Sequence, residues 1–247
     1  MLTSVRSLMA ATILAGSAFA AAPAFAQDDI GVEVSANAAV VSEYRFRGVD
    51  LSGGDIAIQG GIDLGLPAGF YVGTWGSSLD EDTVGYGHTE LDLYGGWATD
   101  LSDTVSFDVG VIAYLYPNAG PGDFDYIELY SSVGVGVGPA DLTLGVAYAP
   151  DQDSLGSTDN FYVYSDVGFG IPNTPVTLNG HLGYTDGYLT YTNNSKAWDW
   201  SLGADVALGE TLSIGVAYVG AEGRELTPNF GYEFTKDTVV VSLSASF

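Results

Sequence analysis

From Val34 to the last residue, apolar and polar side chains alternate with a period of two, in runs broken by clusters of Gly, Pro, Asp and Asn. Period two is the spacing of an extended strand with one apolar face, because successive side chains point to opposite sides. The pattern predicts about twelve strands, each close to the ~10 residues of a membrane-crossing strand. They run from Val34 to Arg47, Asp55 to Leu64, Gly69 to Ser77, His88 to Trp97, Thr104 to Tyr116, Asp125 to Val137, Asp141 to Tyr148, Asn160 to Phe169, Val176 to Tyr184, Ala197 to Leu208, Thr211 to Val219 and Thr238 to Phe247. The connections alternate in length. Pro67-Ala68, Asp100 to Asp103, Gly138-Pro139-Ala140, Ile171 to Pro175 and Gly209-Glu210 are tight turns. Between them lie longer loops, Gly48 to Gly54, Ser78 to Gly87, Pro117 to Phe124, Ala149 to Asp159, Thr185 to Lys196 and Gly220 to Asp237. An even number of strands with short turns at one rim and long loops at the other predicts an outer-membrane barrel with both termini at the short-turn rim.

Charge falls on one parity only. Glu43, Arg45, Arg47, Asp63, Glu90, Asp92, Asp108, Glu128, Asp166, Asp199 and Asp205 share their face with Ser, Asn, Gly and Tyr, and the opposite face of the strands carries none. That second face runs Ile56, Ile58, Ile62, Leu64 in one strand and Val239, Val241, Leu243, Ala245, Phe247 in the last. Its rings gather at the strand ends: Phe70, Trp97, Phe107, Phe169 and Phe247 near the short turns, and Tyr44, Phe46, Tyr148, Phe161, Tyr184, Trp198, Trp200 and Tyr218 near the long loops. Parity alone leaves open which face is outside, since a soluble barrel turns its apolar face inward. Two aromatic bands flanking an aliphatic middle, and a polar face almost free of Lys, assign the apolar face to lipid and the charged residues to the pore lining. The predicted fold is all-β, a transmembrane antiparallel up-and-down β-barrel of about twelve strands.

The start of the chain follows a different pattern. Arg6, the apolar run from Leu8 to Phe19 and Ala24-Phe25-Ala26 make a positive segment, a hydrophobic segment and an A-x-A cleavage site, so residues 1–26 are expected to be a signal peptide and 27–247 the barrel. No later run approaches the ~18 apolar residues that read as a spanning helix, which leaves strands to cross the bilayer. The formal charge of −25 arises from 31 acidic residues against six Lys and Arg, a balance that excludes nucleic-acid binding. The 47% hydrophobic and 13% aromatic content excludes disorder as the home of that charge. There is no cysteine, hence neither disulfide nor thiolate chemistry.

Three blocks near the start carry a resemblance. Val41-Ser42-Glu43-Tyr44-Arg45-Phe46-Arg47-Gly48, Gln59-Gly60-Gly61-Ile62-Asp63 and Gly69-Phe70-Tyr71-Val72-Gly73-Thr74-Trp75-Gly76-Ser77 resemble the opening of the TorF-type porin group, also called the Gcw_chp family, and Glu90 to Gly96 and Glu128 to Tyr130 fit it as well. The resemblance implies an outer-membrane location and a porin role, and brings no catalytic residue or cofactor with it. The closing Val-Ser-Leu-Ser-Ala-Ser-Phe resembles the terminal strand by which such barrels are recognised, so the assembly machinery is an expected partner through Phe247.

Candidate chemistry is thin. His181 shares the lumen parity with Asn179, but Leu182 and Gly183 follow it where a barrel hydrolase would need a nearby Ser, so a hydrogen-bonded lumen histidine is expected rather than a catalytic one. His88 is the only other histidine. Asp80-Glu81-Asp82, Asp123 with Asp125, and Asp151 with Asp153 are loop acids; the last pair opens like a calcium loop whose twelfth position is Tyr162 rather than Glu. Gly134-x-Gly136-x-Gly138 lies on a strand and cannot form a phosphate loop. No enzyme activity, metal or cofactor is predicted.

Barrels of eight strands fill with side chains and those of sixteen hold wide channels, so twelve leaves the outcome to the inward residues. Small ones, including Gly61, Gly73, Gly96, Gly110, Gly183, Gly203 and Gly215, are expected to leave room for water, while inward tyrosines fill part of the bore. The function expected is a passive outer-membrane channel for small hydrophilic solutes with a cation-preferring lumen. The alternative is a non-conducting surface barrel whose acidic loops bind partners or lipopolysaccharide.

Overall fold

The computed structural model describes residues 25–27, 31–190, 192–223 and 233–247; most of the expected signal peptide and part of the last long loop fall outside them. Twelve strands form the wall: β1 (Val32–Val41), β2 (Ala57–Gly65), β3 (Phe70–Ser78), β4 (Thr89–Ser102), β5 (Val105–Leu115), β6 (Tyr126–Val137), β7 (Ala140–Gln152), β8 (Thr158–Gly170), β9 (Val176–Gly187), β10 (Lys196–Leu208), β11 (Leu212–Gly223) and β12 (Thr238–Ser246). Each pairs antiparallel with the next. β12 then pairs with β1, from Ser242 opposite Val41 to Ser246 opposite Asn37. Below that register Ala36 and Phe247 exchange N–H···O bonds of 3.0 and 2.9 Å. Closure leaves no unpaired strand edge, the condition for sheet inside a bilayer, where stray backbone groups find no water. The short segment Phe25–Gln27 runs beside the lower end of β1, with Phe25 opposite Val34.

The strands hold 9 to 14 residues, and several run past the predicted ends into what the sequence suggested was loop. The connection between β7 and β8 shrinks accordingly to residues 153–157. The long loops all lie at one rim, called upper below.

The outer face settles the question of sides. Ile58 is 67% exposed and Leu202 68%, where a soluble barrel would bury both. Alternate positions on every strand follow them outward, while Tyr114, Glu128 and Asp199 turn inward and are shut off from solvent. The rim aromatics lie in two bands, and several of them hold their polar atoms in hydrogen bonds. Tyr184 packs on Trp198 at 4.9 Å and Trp200 on Tyr218 at 5.2 Å, while Tyr148 and Tyr218 donate to Asp159 and Asp237 at 3.2 and 3.1 Å. Trp97 at the lower rim donates to the Ala68 carbonyl at 2.9 Å. An apolar ring body with a hydrogen-bonding tip is what the headgroup layer selects.

The inner face departs from expectation. Glycines read as room for water are instead covered by tyrosine rings from adjacent strands. Tyr94 lies over Gly73, Tyr71 over Gly96, Tyr130 over Gly110 and Tyr162 over Gly183, and Tyr164 covers a further glycine, Gly145, in the same way. Most of these are directly opposed pairs in the ladder, such as Gly110 with Tyr130 and Gly145 with Tyr164. A ring laid flat along the wall needs a neighbour without a side chain, so these glycines set ring orientation rather than bore width.

Candidate functional site

The chain leaves the wall at Val41, not at Arg47 as the alternation predicted, and residues 43–52 fold down into the barrel. Arg45–Phe46 pairs with Val49–Asp50 as a two-stranded hairpin, turned by Arg47 (φ 49°) and Gly48 (φ 76°). Left-handed backbone is costly for arginine, and the contacts of its side chain hold it there. At Gly48 no side chain fits: a Cβ would stand 2.6 Å from the Ala221 Cβ and 2.8 Å from the Gly220 carbonyl. The tip therefore rests on β11, two strands from β1 round the closed wall. Tyr44 and Phe46, expected in the outer girdle, are buried inside with Val49 and Leu51. The physical reason is that an internal hairpin alternates as a wall strand does, so parity could not separate them.

Ion pairs and rings seat this inner hairpin on several strands. Arg47 donates through Nη1 and Nη2 to Glu128 on β6, at 3.1 and 2.8 Å, with both side chains almost fully buried. Its guanidinium lies 4.1 Å from the Tyr162 ring centroid on β8. Arg45 pairs with Glu43 and donates to the carbonyls of Gly48 and Phe234, each at 3.0 Å. Glu43 accepts from the Thr238 hydroxyl on β12 at 3.1 Å. The Tyr44 hydroxyl donates to Glu90 on β4 at 2.9 Å, and Phe46 packs edge-on against Tyr114 of β5 at 5.7 Å. Above, Asp50 N–H donates to the Phe234 carbonyl and Asp80 N–H to that of Leu51, tying the hairpin to two of the long loops.

Beneath it the wall is acidic. Asp63 accepts from Tyr94, and Asp108 accepts at 2.7 Å from Tyr71, whose hydroxyl also meets that of Tyr130. His181 bridges Asp166 (Nδ1, 2.6 Å) and Asp199 (Nε2, 2.8 Å) and touches the Tyr162 hydroxyl at 2.9 Å, as a hydrogen-bonded lumen histidine should. Asp205 accepts from Asn179. All eleven predicted pore-lining residues thus face the interior: Glu43, Arg45 and Arg47 on the hairpin, and Asp63, Glu90, Asp92, Asp108, Glu128, Asp166, Asp199 and Asp205 on the wall. Reading the sequence missed the tyrosines as partners of those acids, because the partnership is set by strand register. Asp80 caps a short helix, Glu81–Val84, accepting from Thr83 N–H at 3.0 Å, so that loop acid has a structural role. Among the described residues no three His, Cys, Asp or Glu side chains converge as a metal centre requires.

The profile of the family described as "Bacterial protein of unknown function (Gcw_chp)" matches residues 25–247. The chain belongs to the Gcw_chp family. Among curated proteins none matches it. Two solved structures share the family member's architecture over nearly their whole length. The NanC porin superposes with a TM-score of 0.59 at 10% identity, covering 87% of this chain and 98% of the porin. The COG4313 outer membrane channel from Pseudomonas putida F1 gives a TM-score of 0.51 at 12% identity, covering 89% and 96%. At such identities the likeness is one of fold. Both are named as pores, and the barrel of this family member is porin-like.

Proposed function

We propose that the protein is an outer-membrane channel for passive diffusion of small hydrophilic solutes, that it prefers cations, and that the inner hairpin holds it closed at rest. The observation that carries this reading is the charge on the eleven lumen residues: nine carboxylates against two guanidinium groups, with eight of the acids on the wall and both arginines beside Glu43 on the hairpin. A low-dielectric wall focuses that negative potential along the bore and draws in counter-ions. The porin and channel names of the structural neighbours support the pore, and the resemblance of the opening blocks to TorF-type porins agrees with it. Location in the outer membrane, a cleaved leader over residues 1–26, recognition of Phe247 by the assembly machinery and contact of the acidic loops with lipopolysaccharide belong to the same proposal. A barrel that never conducts is the second reading, favoured by the span of the hairpin across the lumen.

Reconstitution in planar bilayers under a salt gradient tests both. Open events with a zero-current potential on the cation side are expected. Replacing Asp63, Asp166 and Asp205 together with Asn, which leaves the hairpin contacts untouched, should move that potential toward anion permeability. Anion preference in the unmodified protein, or no movement in the triple variant, would mean that these carboxylates do not line the path. Glu128 is unsuited to this experiment because it holds Arg47.

A further inference from the structure

Just below the hairpin, one stretch of the wall holds two buried carboxyl groups that form no ion pair among the described residues. Trp75, Asp92, Tyr114 and Tyr126 lie in one row across β3 to β6, each directly opposite the next in the ladder. Glu90 stands two residues up the same face of β4. Asp92 is 0% exposed, and neither of its carboxylate oxygens has a hydrogen-bond partner. The second oxygen of Glu90 and the hydroxyl of Tyr114, both buried, are also without one. The charges that act on Asp92 are those of Glu90 and Glu128, all negative. Arg47 is committed to Glu128 through both nitrogens of its fork.

Two buried carboxylates on one strand face, with no cationic side chain paired to them among the described residues, are far costlier than a paired arrangement. Four unsatisfied oxygens from three side chains, in a row that Trp75 and Tyr126 continue on either side, form a donor set for a hard cation. With only two carboxylates free and no third ligand of metal-centre type converging, the set suits a singly charged ion rather than a tightly held divalent one. We propose that Glu90, Asp92 and Tyr114 bind a small monovalent cation of the alkali class, which locks the inner hairpin by allowing Glu90 to stay beside Asp92 while it accepts from Tyr44. The lock does not depend on conduction, and it stands or falls separately from the pore.

Heat unfolding of the purified full chain in detergent provides the first test, in potassium, sodium or N-methylglucamine chloride at one ionic strength. The apparent Tm should be about 3 °C or more higher in potassium or sodium than with the bulky organic cation, and the gain should saturate with concentration. Asp92→Asn should remove the difference, while Asp63→Asn, lower in the bore and paired with Tyr94, should keep it. Equal Tm values in all three salts for the unmodified protein would overturn the proposal. Rubidium diffraction on unmodified crystals gives a readout that needs no variant to fold. An anomalous peak touching Asp92 and Glu90 is expected; its absence, with the two carboxyl groups hydrogen-bonded to each other, would show that they share a proton and hold no ion.

Discussion

If the hairpin holds the barrel closed, Arg47→Ala should turn a mostly closed barrel into a mostly open one. The substitution removes a two-fold hydrogen-bonded ion pair whose partners are both almost fully buried, and it strips the cation from the face of Tyr162. Breaking a buried pair from one side costs about 3–5 kcal/mol, much of it from leaving the other charge stranded. Here the stranded group is Glu128, which regains water only if the hairpin leaves its seat. If about 3 kcal/mol of that cost acts on the closed state alone, the equilibrium shifts roughly 100-fold toward open. Time-averaged conductance in planar bilayers should therefore rise by at least about tenfold, the remainder being absorbed by local relaxation. Glu128→Gln should act in the same direction and more weakly, since an amide still accepts one bond from the guanidinium. An Arg47→Ala barrel that conducts no more than the unmodified one would show that the hairpin is a fixed plug, and would leave the surface-protein reading in possession of the field.

Gly110→Val should be the most damaging single change in the lower wall. A Cβ at Gly110 would fall within the Tyr130 ring and 2.7 Å from the Gly95 carbonyl, an atom of the backbone that cannot swing aside. The ring must leave, and with it goes the Tyr130–Tyr71–Asp108 chain of hydrogen bonds. Overpacking of this kind costs about 1–3 kcal/mol, and the upper end applies where a hydrogen-bonded network goes too. Urea unfolding in lipid vesicles would measure it. Adding Tyr130→Ala should cost less than the sum of the two single changes, because the ring is then no longer in the way, while the contact with the Gly95 carbonyl remains. Strictly additive costs would show that ring and glycine do not share the space described.

The wall was legible in the sequence because strand periodicity is exact: one face meets lipid, the other does not, and the charges of Asp63, Asp108 and Asp166 can lie on one side only. Two things were not. The inner hairpin keeps the same alternation as a wall strand, so Glu43 to Arg47 passed as a continuation of β1. A cue was present in Tyr44 and Phe46, large rings set between three charges within five residues, together with Gly48, Gly53 and Gly54 close behind. The second is pairing. That Tyr130 meets Gly110, or that Tyr94 reaches Asp63, follows from the register of neighbouring strands, which no single strand encodes. Small inward residues were consequently taken as space when several of them are the beds of tyrosine rings.

Those rings lie over β3 to β9, and the inner faces of β11, β12 and β1 carry instead Ser213, Gly215, Ser242, Ser244, Ser35 and Asn37, with no charge above Glu33 at the lower mouth. The bulk of the inner wall is therefore uneven round the barrel. Asp63 on β2 and Asp205 on β10 flank this stretch of hydroxyl groups, and Asp205 reaches over Gly215 toward Ser242. If the barrel conducts, a solute on this side meets serine hydroxyls set between carboxylates, and molecules that pair a positive end with several hydroxyl groups should pass it more readily than neutral apolar ones of the same size.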